Sequence, residues 1–172
     1  ALAVASPVIG DVVDMTNHVW RFSIEATRKR LGLERLEVVN DFIAIALAVP
    51  GLRPHEMDKI GHGQPFGQFP IGVVGPGTGL GVALLIPQQD HFLPVATEGG
   101  HVTMAAADDE EAAVLAVLRR RFGHVSAERV VSGPGLVNLY QALGELRGVA
   151  CRNCGPEEIT AAAGRGEDAL CS

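Results

Sequence analysis

Four short stretches carry side chains that could do chemistry. Asn40-Asp41 puts an amide beside a carboxylate inside VVNDFIAIALAVPG, residues 38 to 51. Glu98-Gly99-Gly100-His101 spaces an acid and an imidazole three residues apart with no bulk between them. Both groups could donate or accept hydrogen bonds to a polyhydroxylated ligand, whose hydroxyls each do both; the plain alternative is a surface turn with incidental charges. Gly75-Pro76-Gly77-Thr78-Gly79-Leu80-Gly81 offers backbone N–H groups, and a Thr78 hydroxyl, to an anion. The alternative there is a β-turn whose glycines tolerate positive φ. Glu128, in HVSAERVVSGPG, reads by itself as a solvated charge. His18, His55, His62, His91 and His124 are assigned no role, because a lone histidine is more often structural.

The elements that must position these groups follow from periodicity and punctuation. Leu36 to Val39 reads as a buried strand, and Asp41 to Val49 as a helix stopped by Pro50-Gly51. Asp41 thus falls where a parallel strand ends and a helix begins, the edge at which open α/β sheets bind ligands. Leu2 to Val8 and Asp11 to His18 read as strands, and Ser23 caps a helix running to Leu31 with Gly32 as its stop. Residues 51 to 69 form a loop. Ile71 to Val74 and Gly81 to Ile86 are strands around the glycine turn, so GxG here is not a dinucleotide fingerprint, which needs a helix after the loop. Glu110 to Phe122 is a helix with an apolar stripe of Ala113, Val114, Val117 and Leu118. Ser132 opens another helix, striped by Leu136, Val137, Leu139, Tyr140 and Leu143 and followed by Gly148. Pro156 begins a last helix in the tail to Ser172.

Bulk properties narrow the class. Of 172 residues 47% are hydrophobic and 20% charged, which suits a packed α/β core and not disorder. The net charge of −6, with no basic stripe, argues against nucleic acid as a partner. The densest basic run, Arg119 to Arg121, closes a helix, where cations suit the dipole. No apolar run is long enough to span a membrane, and the N-terminal ALAVASPVIG, without Met or a positive n-region, reads as a strand beginning in mid-fold rather than a signal peptide. Cys151 and Cys154 have CxxC spacing without a second ligand pair. Structural zinc takes four ligands, so the preferred reading is two loop thiols in a reducing cytoplasm, and no metal ligand is assigned.

Taken together, MTNHVWRFS (15–23), VVNDFIAIALAVP (38–50), VVGPGTGLGVALL (73–85), EGGHV (98–102) and GHVSAERVVSGPGLVNLY (123–140) resemble bacterial glucokinases of the hexokinase-like group. The resemblance runs to about residue 145 and fades after Gly148. It implies an α/β, actin-like ATPase (ribonuclease H-like) fold, here partial: residues 1–50 as the end of the small domain and 51–172 as the first part of the large domain. It further implies Asp41 as general base for the sugar's primary hydroxyl. Asn40, Asp41, Glu98, His101 and Glu128 would be glucose contacts, and Gly77, Thr78 and Gly79 the turn facing the ATP phosphates. The implied reaction is ATP-dependent phosphorylation of D-glucose in glycolysis, with Mg²⁺, in the cytoplasm, a homodimer of the full-length enzyme remaining open.

The family's DxGGTN-type phosphate loop and C-terminal adenosine-binding glycines have no counterpart in the 172 residues. The expectation is therefore an internal fragment of a longer enzyme that does not turn over ATP alone. Three alternatives stay open. A ROK-type kinase of another hexose carries a cysteine-rich zinc segment soon after the histidine, and residues 102 to 122 contain no Cys. A sugar-sensing regulator would not need the base at Asp41. A dinucleotide-dependent dehydrogenase is disfavoured by the strand after Gly81.

Overall fold

The computed structural model describes residues 1–15, 18–64, 67 and 69–171. Thr16 and Asn17 of the 15–23 stretch, three residues of the 51–69 loop, and Ser172 lie outside the described residues. The element order is mixed α/β. Strands β1 (Leu2–Val4), β2 (Val12–Asp14) and β3 (Arg21–Ser23) precede helix α1 (Ile24–Arg30); β4 (Val38–Asn40) leads into α2 (Asp41–Ala48). Strands β5 (Ile71–Pro76), β6 (Leu80–Pro87) and β7 (Phe92–Ala96) follow, then helices α3 (Asp109–Phe122), α4 (Gly133–Arg147) and α5 (Pro156–Arg165). The chain packs as two compact units, Ala1–Val73 with Ala83–Thr97, and Val74–Val82 with Glu98–Ser172. The division crosses the β5–β6 hairpin and does not coincide with the 1–50 and 51–172 assignment.

In the first unit β1 and β4 pair in parallel, with Val4 opposite Asn40, while β2 and β3 pair antiparallel. Val4, Val13 and Val38 are buried together and covered by Val8, Met15, Phe22, Ile24 and Leu36. The first two strands are shorter than the Leu2–Val8 and Asp11–His18 runs expected, and β4 sits two residues later than Leu36–Val39. Leu36 instead packs against the core from the loop before its strand. Ser23 caps α1 as expected, accepting the Ala26 N–H at 3.0 Å. Asp11 accepts the Ser23 hydroxyl at 2.5 Å and the Glu25 N–H at 2.8 Å, which hold its carboxyl below its ordinary range, the hydroxyl bond contributing most.

Helix α2 buries Ile43 and Ala46 against Ala83 and Leu85 of β6, with Phe42, Ile71, Val73 and Phe92 around them. β5, β6 and β7 form one sheet in that order, and β7 is antiparallel to β6 from Ala83 opposite Ala96 to Pro87 opposite Phe92. β7 was missing from the sequence reading because Pro94 interrupts it. Proline removes a ladder donor and is confined to edge strands, and β7 is the last strand in the order.

In the second unit α3 packs on α4 through Val114, Leu115, Val117, Leu118, Val125, Val130 and Ala142. Asp108 caps α3 by accepting the Glu111 N–H at 2.8 Å. The first turn is acidic and the last basic, the arrangement that complements the helix dipole. Arg120 and Arg121 both reach Glu145 of α4 at 2.7 Å, lowering that carboxyl, Arg121 the more. Gly148 ends α4 in the left-handed conformation at φ 65. α5 closes on α4 over Tyr140, Ile159 and Leu170.

Candidate functional site

Asn40 and Asp41 sit at the junction of β4 and α2 in the first unit. Asn40 is the N-cap: its side-chain oxygen accepts the N–H groups of Phe42 at 3.0 Å and Ile43 at 3.3 Å. Its amide nitrogen donates to the Ser6 carbonyl at 3.4 Å. The oxygen is thus engaged by the helix, and the second amide hydrogen remains for a ligand. Asp41, the first helical residue, is exposed, and its Oδ1 accepts the Phe42 N–H at 2.8 Å. An acid in the first turn is favoured by the dipole, and its carboxylate is open to solvent.

The second unit brings together the other three segments. The turn between β5 and β6 is closed by Gly77 N–H donating to the Gly79 carbonyl at 2.8 Å. The N–H groups of Thr78 and Gly79 meet no protein acceptor among the described residues. Neither Gly77 nor Gly79 has positive φ, so the expectation that these glycines serve by tolerating it is corrected. Gly79 answers to space: a Cβ there would lie 2.5 Å from Glu128 Oε2.

Glu128 is half-buried and not a solvated charge, because its Oε2 accepts the N–H of Leu80 at 2.9 Å. Its backbone carbonyl accepts the hydroxyl of buried Ser132 at 2.7 Å, and the same hydroxyl accepts the Gly135 N–H at 3.0 Å as the cap of α4. Gly133, the first residue of α4, donates its N–H to the Gly77 carbonyl at 2.8 Å. Helix start, acid and turn are thereby one construction. Beside it, a cavity of about 430 Å³ is lined by Pro76, Gly77, Val130, Val131, Gly133 and Leu136. Leu136 is therefore a cavity wall, where the stripe had assigned it to the core.

Glu98 precedes and His101 ends a single 3₁₀ turn, Gly99–His101; both are exposed, with His101 Nε2 3.5 Å from Glu98 Oε2. Gly100 in that turn is buried against Leu80, and any Cβ would collide with the Leu80 carbonyl. Val102 then accepts the Ala127 N–H at 2.9 Å, and Thr103 bridges to Ser126, which lays EGGH alongside SAER. Sequence reasoning missed Leu80, Gly100, Ser132 and Gly133. The capping signal Ser-Gly-Pro-Gly was visible, but their partners lie far along the chain.

The cysteines are free thiols outside helices and strands, as the loop-thiol reading expects. Cys151, Cys154 and Cys171 are half-buried and pack against the Tyr140, Ile159 and Leu170 cluster. Cys151 Sγ donates to the Tyr140 carbonyl at 3.4 Å. Burial raises the Cys171 thiol above its ordinary value, with the Asp168 carboxylate adding to it. Among the described residues no three His, Cys, Asp or Glu side chains are grouped to hold a metal ion.

The glucokinase family model matches residues 1–172. The chain belongs to the glucokinase family. It is 54% identical over 172 residues to a glucokinase of Paramagnetospirillum magneticum, covering 99% of this chain and 53% of the relative. It is 51% identical over 169 residues to one of Marinobacter nauticus, covering 98% and 53%. The crystal structure of a glucokinase from an Antarctic psychrotroph superposes with a TM-score of 0.89 at 38% identity, over 99% of this chain and 53% of that one. A Balamuthia mandrillaris glucokinase in complex with glucose, 22% identical over 99% of this chain and 54% of its own, shares the fold with a TM-score of 0.66. This glucokinase-family chain therefore spans about half the length of the curated relatives it matches.

Proposed function

We propose that the full-length polypeptide carrying this sequence is an ATP-dependent glucokinase that converts D-glucose to glucose 6-phosphate. One observation carries the reading beyond family membership. An acid of the sugar-reading set, Glu128, holds the backbone of a turn whose neighbouring N–H groups have no protein acceptor. A site that joins carboxylates to open amide donors suits a ligand pair of polyol and phosphate.

In this proposal Asp41 accepts the proton of the sugar's primary hydroxyl as that oxygen forms its bond to the γ-phosphorus. The bond from the γ-phosphorus to the β,γ-bridging oxygen breaks, and ADP leaves. The spare Asn40 amide hydrogen, Glu98, His101 and the second oxygen of Glu128 hold the remaining hydroxyls. A hexose lacking a matched hydroxyl leaves one of these groups unpaired and is discriminated against. Thr78 and Gly79 donate to phosphate oxygens. The described residues include no metal-holding cluster, so Mg²⁺ does not fit a protein cage here and no step is routed through it. We assign the whole to the actin-like ATPase fold, residues 1–50 to its small domain and 51–172 to its large one. No helix among the described residues is long and apolar enough to cross a membrane, and a cytoplasmic location fits the proposed substrates.

The test is ATP-dependent glucose phosphorylation by the full-length polypeptide beside its Asp41→Asn variant. Turnover with glucose, and a kcat lower by about 10²–10⁴-fold in the variant with glucose binding retained, is expected for a general base. Glucose binding without turnover in the unsubstituted protein would replace the kinase by a sugar-sensing protein.

A further inference from the structure

We infer that Cys154 and Cys171 are a modification site, a thiol pair that oxidation joins into a disulfide, closing α5 into a covalent loop held on α4. This goes beyond the glucokinase reading and does not depend on it. CxxC spacing suggests Cys151 and Cys154 as partners, but the fold keeps them apart. Residues 149–155 carry no helix, strand, turn or bend, so the chain between the two cysteines runs extended. Three extended steps span about 10 Å, beyond the roughly 7 Å between Cα atoms that a disulfide tolerates. Cys151 is also engaged elsewhere. Its Sγ donates to the Tyr140 carbonyl at 3.4 Å and lies flush on α4, where a Cβ at Gly144 would collide with it.

Cys171 reaches the same place from the far end of α5. Asp168 shapes its turn: Oδ1 accepts the Leu170 N–H at 3.0 Å, and the Asp168 carbonyl accepts the Cys171 N–H at 2.9 Å. Oδ2 of Asp168 accepts from the Tyr140 hydroxyl at 2.9 Å and from Arg152 Nη2 at 3.1 Å. The Tyr140 oxygen in turn accepts the Arg152 N–H at 3.3 Å. One buried tyrosine thus ties the segment before α5 to the segment after it. All three cysteines pack on Tyr140, Ile159 and Leu170, and among the described residues only Cys151 has a hydrogen bond at sulfur. Cys154 acts on the Cys171 thiol more strongly than Cys151 does, which makes it the nearer sulfur.

The oxidant is a low-molecular-weight disulfide of the glutathione class. The Cys154 thiolate attacks one of its sulfurs, the small S–S bond breaks, and one small thiol leaves. Cys171 then gives its proton to solvent and attacks the mixed disulfide at Cys154 Sγ, displacing the second small thiol. Two protein thiols are oxidised and one small disulfide is reduced. Burial raises the Cys171 thiol, which suits the later, resolving step.

The experiment incubates the folded full-length polypeptide with excess glutathione disulfide, alkylates the remaining thiols and digests with trypsin. Cleavage after Arg147, Arg152 and Arg165 puts Cys151, Cys154 and Cys171 on separate peptides. The expected product is peptide 153–165 joined to the peptide that begins at Gly166, with Cys151 alkylated. Peptide 148–152 joined to either of the others overturns the inference, as do glutathione adducts without a cross-link, a bond to a cysteine outside these residues, or no reaction. The crosslinked protein should also unfold at higher urea than the reduced one, because the bond constrains the unfolded chain, and dithiothreitol should reverse the shift. Cys154→Ser and Cys171→Ser should each abolish the shift, and Cys151→Ser should keep it. A shift that survives Cys154→Ser, or none in the crosslinked protein, overturns the covalent hold on α4.

Discussion

Asn40-Asp41 in the first unit and Glu128 in the second are both acid-bearing candidate positions, and they are held in opposite ways. Asn40 and Asp41 are oriented by their own helix, through bonds to N–H groups one to three residues ahead. Glu128 is oriented by Leu80, 48 residues away in the sequence; Leu80 in turn packs on Gly100, and Gly133 holds Gly77 at the other end of the turn. Local capping places a side chain at the mouth of a helix and leaves it open to solvent. Non-local fixing half-buries the acid and makes its neighbours interdependent.

The largest expected effect separates the two positions by chemistry. Asp41→Asn keeps a side-chain acceptor for the Phe42 N–H, so folding should be little changed while kcat falls as stated. A thermal midpoint lowered in parallel with activity would mean that Asp41 acts through stability. Next comes Ser132→Ala. The buried hydroxyl serves both Gly135 N–H and the Glu128 carbonyl, and leaving both unpaired should cost about 1–3 kcal/mol. Denaturant unfolding would check this, together with a raised glucose KM because the backbone of Glu128 relaxes. An unchanged KM would show that Leu80 alone suffices to place the acid.

A smaller effect is expected at Asn40. Asn40→Ala should cost about 1 kcal/mol by loss of the cap. Asn40→Asp retains capping and removes the amide donor, so stability should hold while glucose KM rises. If Asn40→Asp binds glucose normally, Asn40 is a cap and nothing more. The smallest effect concerns Glu25 in α1. Hydrogen bonds from Arg28, then Lys29, lower its carboxyl to about 2 from an ordinary 4.5. The folded value is the lower one, so the associated stability is complete above about pH 4.5 and is lost as pH falls towards 2. The pair is exposed and the effect modest. Circular dichroism against pH should show Glu25→Gln flattening this part of the acid limb, and an unaltered limb would contradict it.

This contrast also explains what the sequence disclosed. The strand-to-helix junction at Asn40-Asp41 was legible because its causes lie within a few residues: an apolar run, a capping side chain and a Pro-Gly stop. The caps at Ser23 and Ser132 and the stop at Gly148 were legible for the same reason. Glu128 was not, since burial by Leu80 cannot be read from its neighbours, and only the family resemblance raised it above a surface charge. The glycines of the turn left two readings open, an anion site offering N–H donors or a plain β-turn using positive φ; neither Gly77 nor Gly79 has positive φ, and clearance to Glu128 is what Gly79 answers to. β7 was hidden by Pro94, whose edge position only the assembled sheet reveals. Cys171 joined Cys151 and Cys154 through packing on Tyr140, a relation with no spacing signature.

The 48-residue separation of Leu80 and Glu128 has a consequence for how such chains can change length. No residue can be added between Asn40 and Ile43 without losing the cap, so that motif is rigid in spacing. Between Leu80 and Glu128 the chain passes through the Gln88–His91 turn and the segment before α3. Residues inserted there alter the count while the two ends still meet. Natural length variation should collect in those two connections, and a search keyed to fixed intervals would recover the first motif and overlook the second.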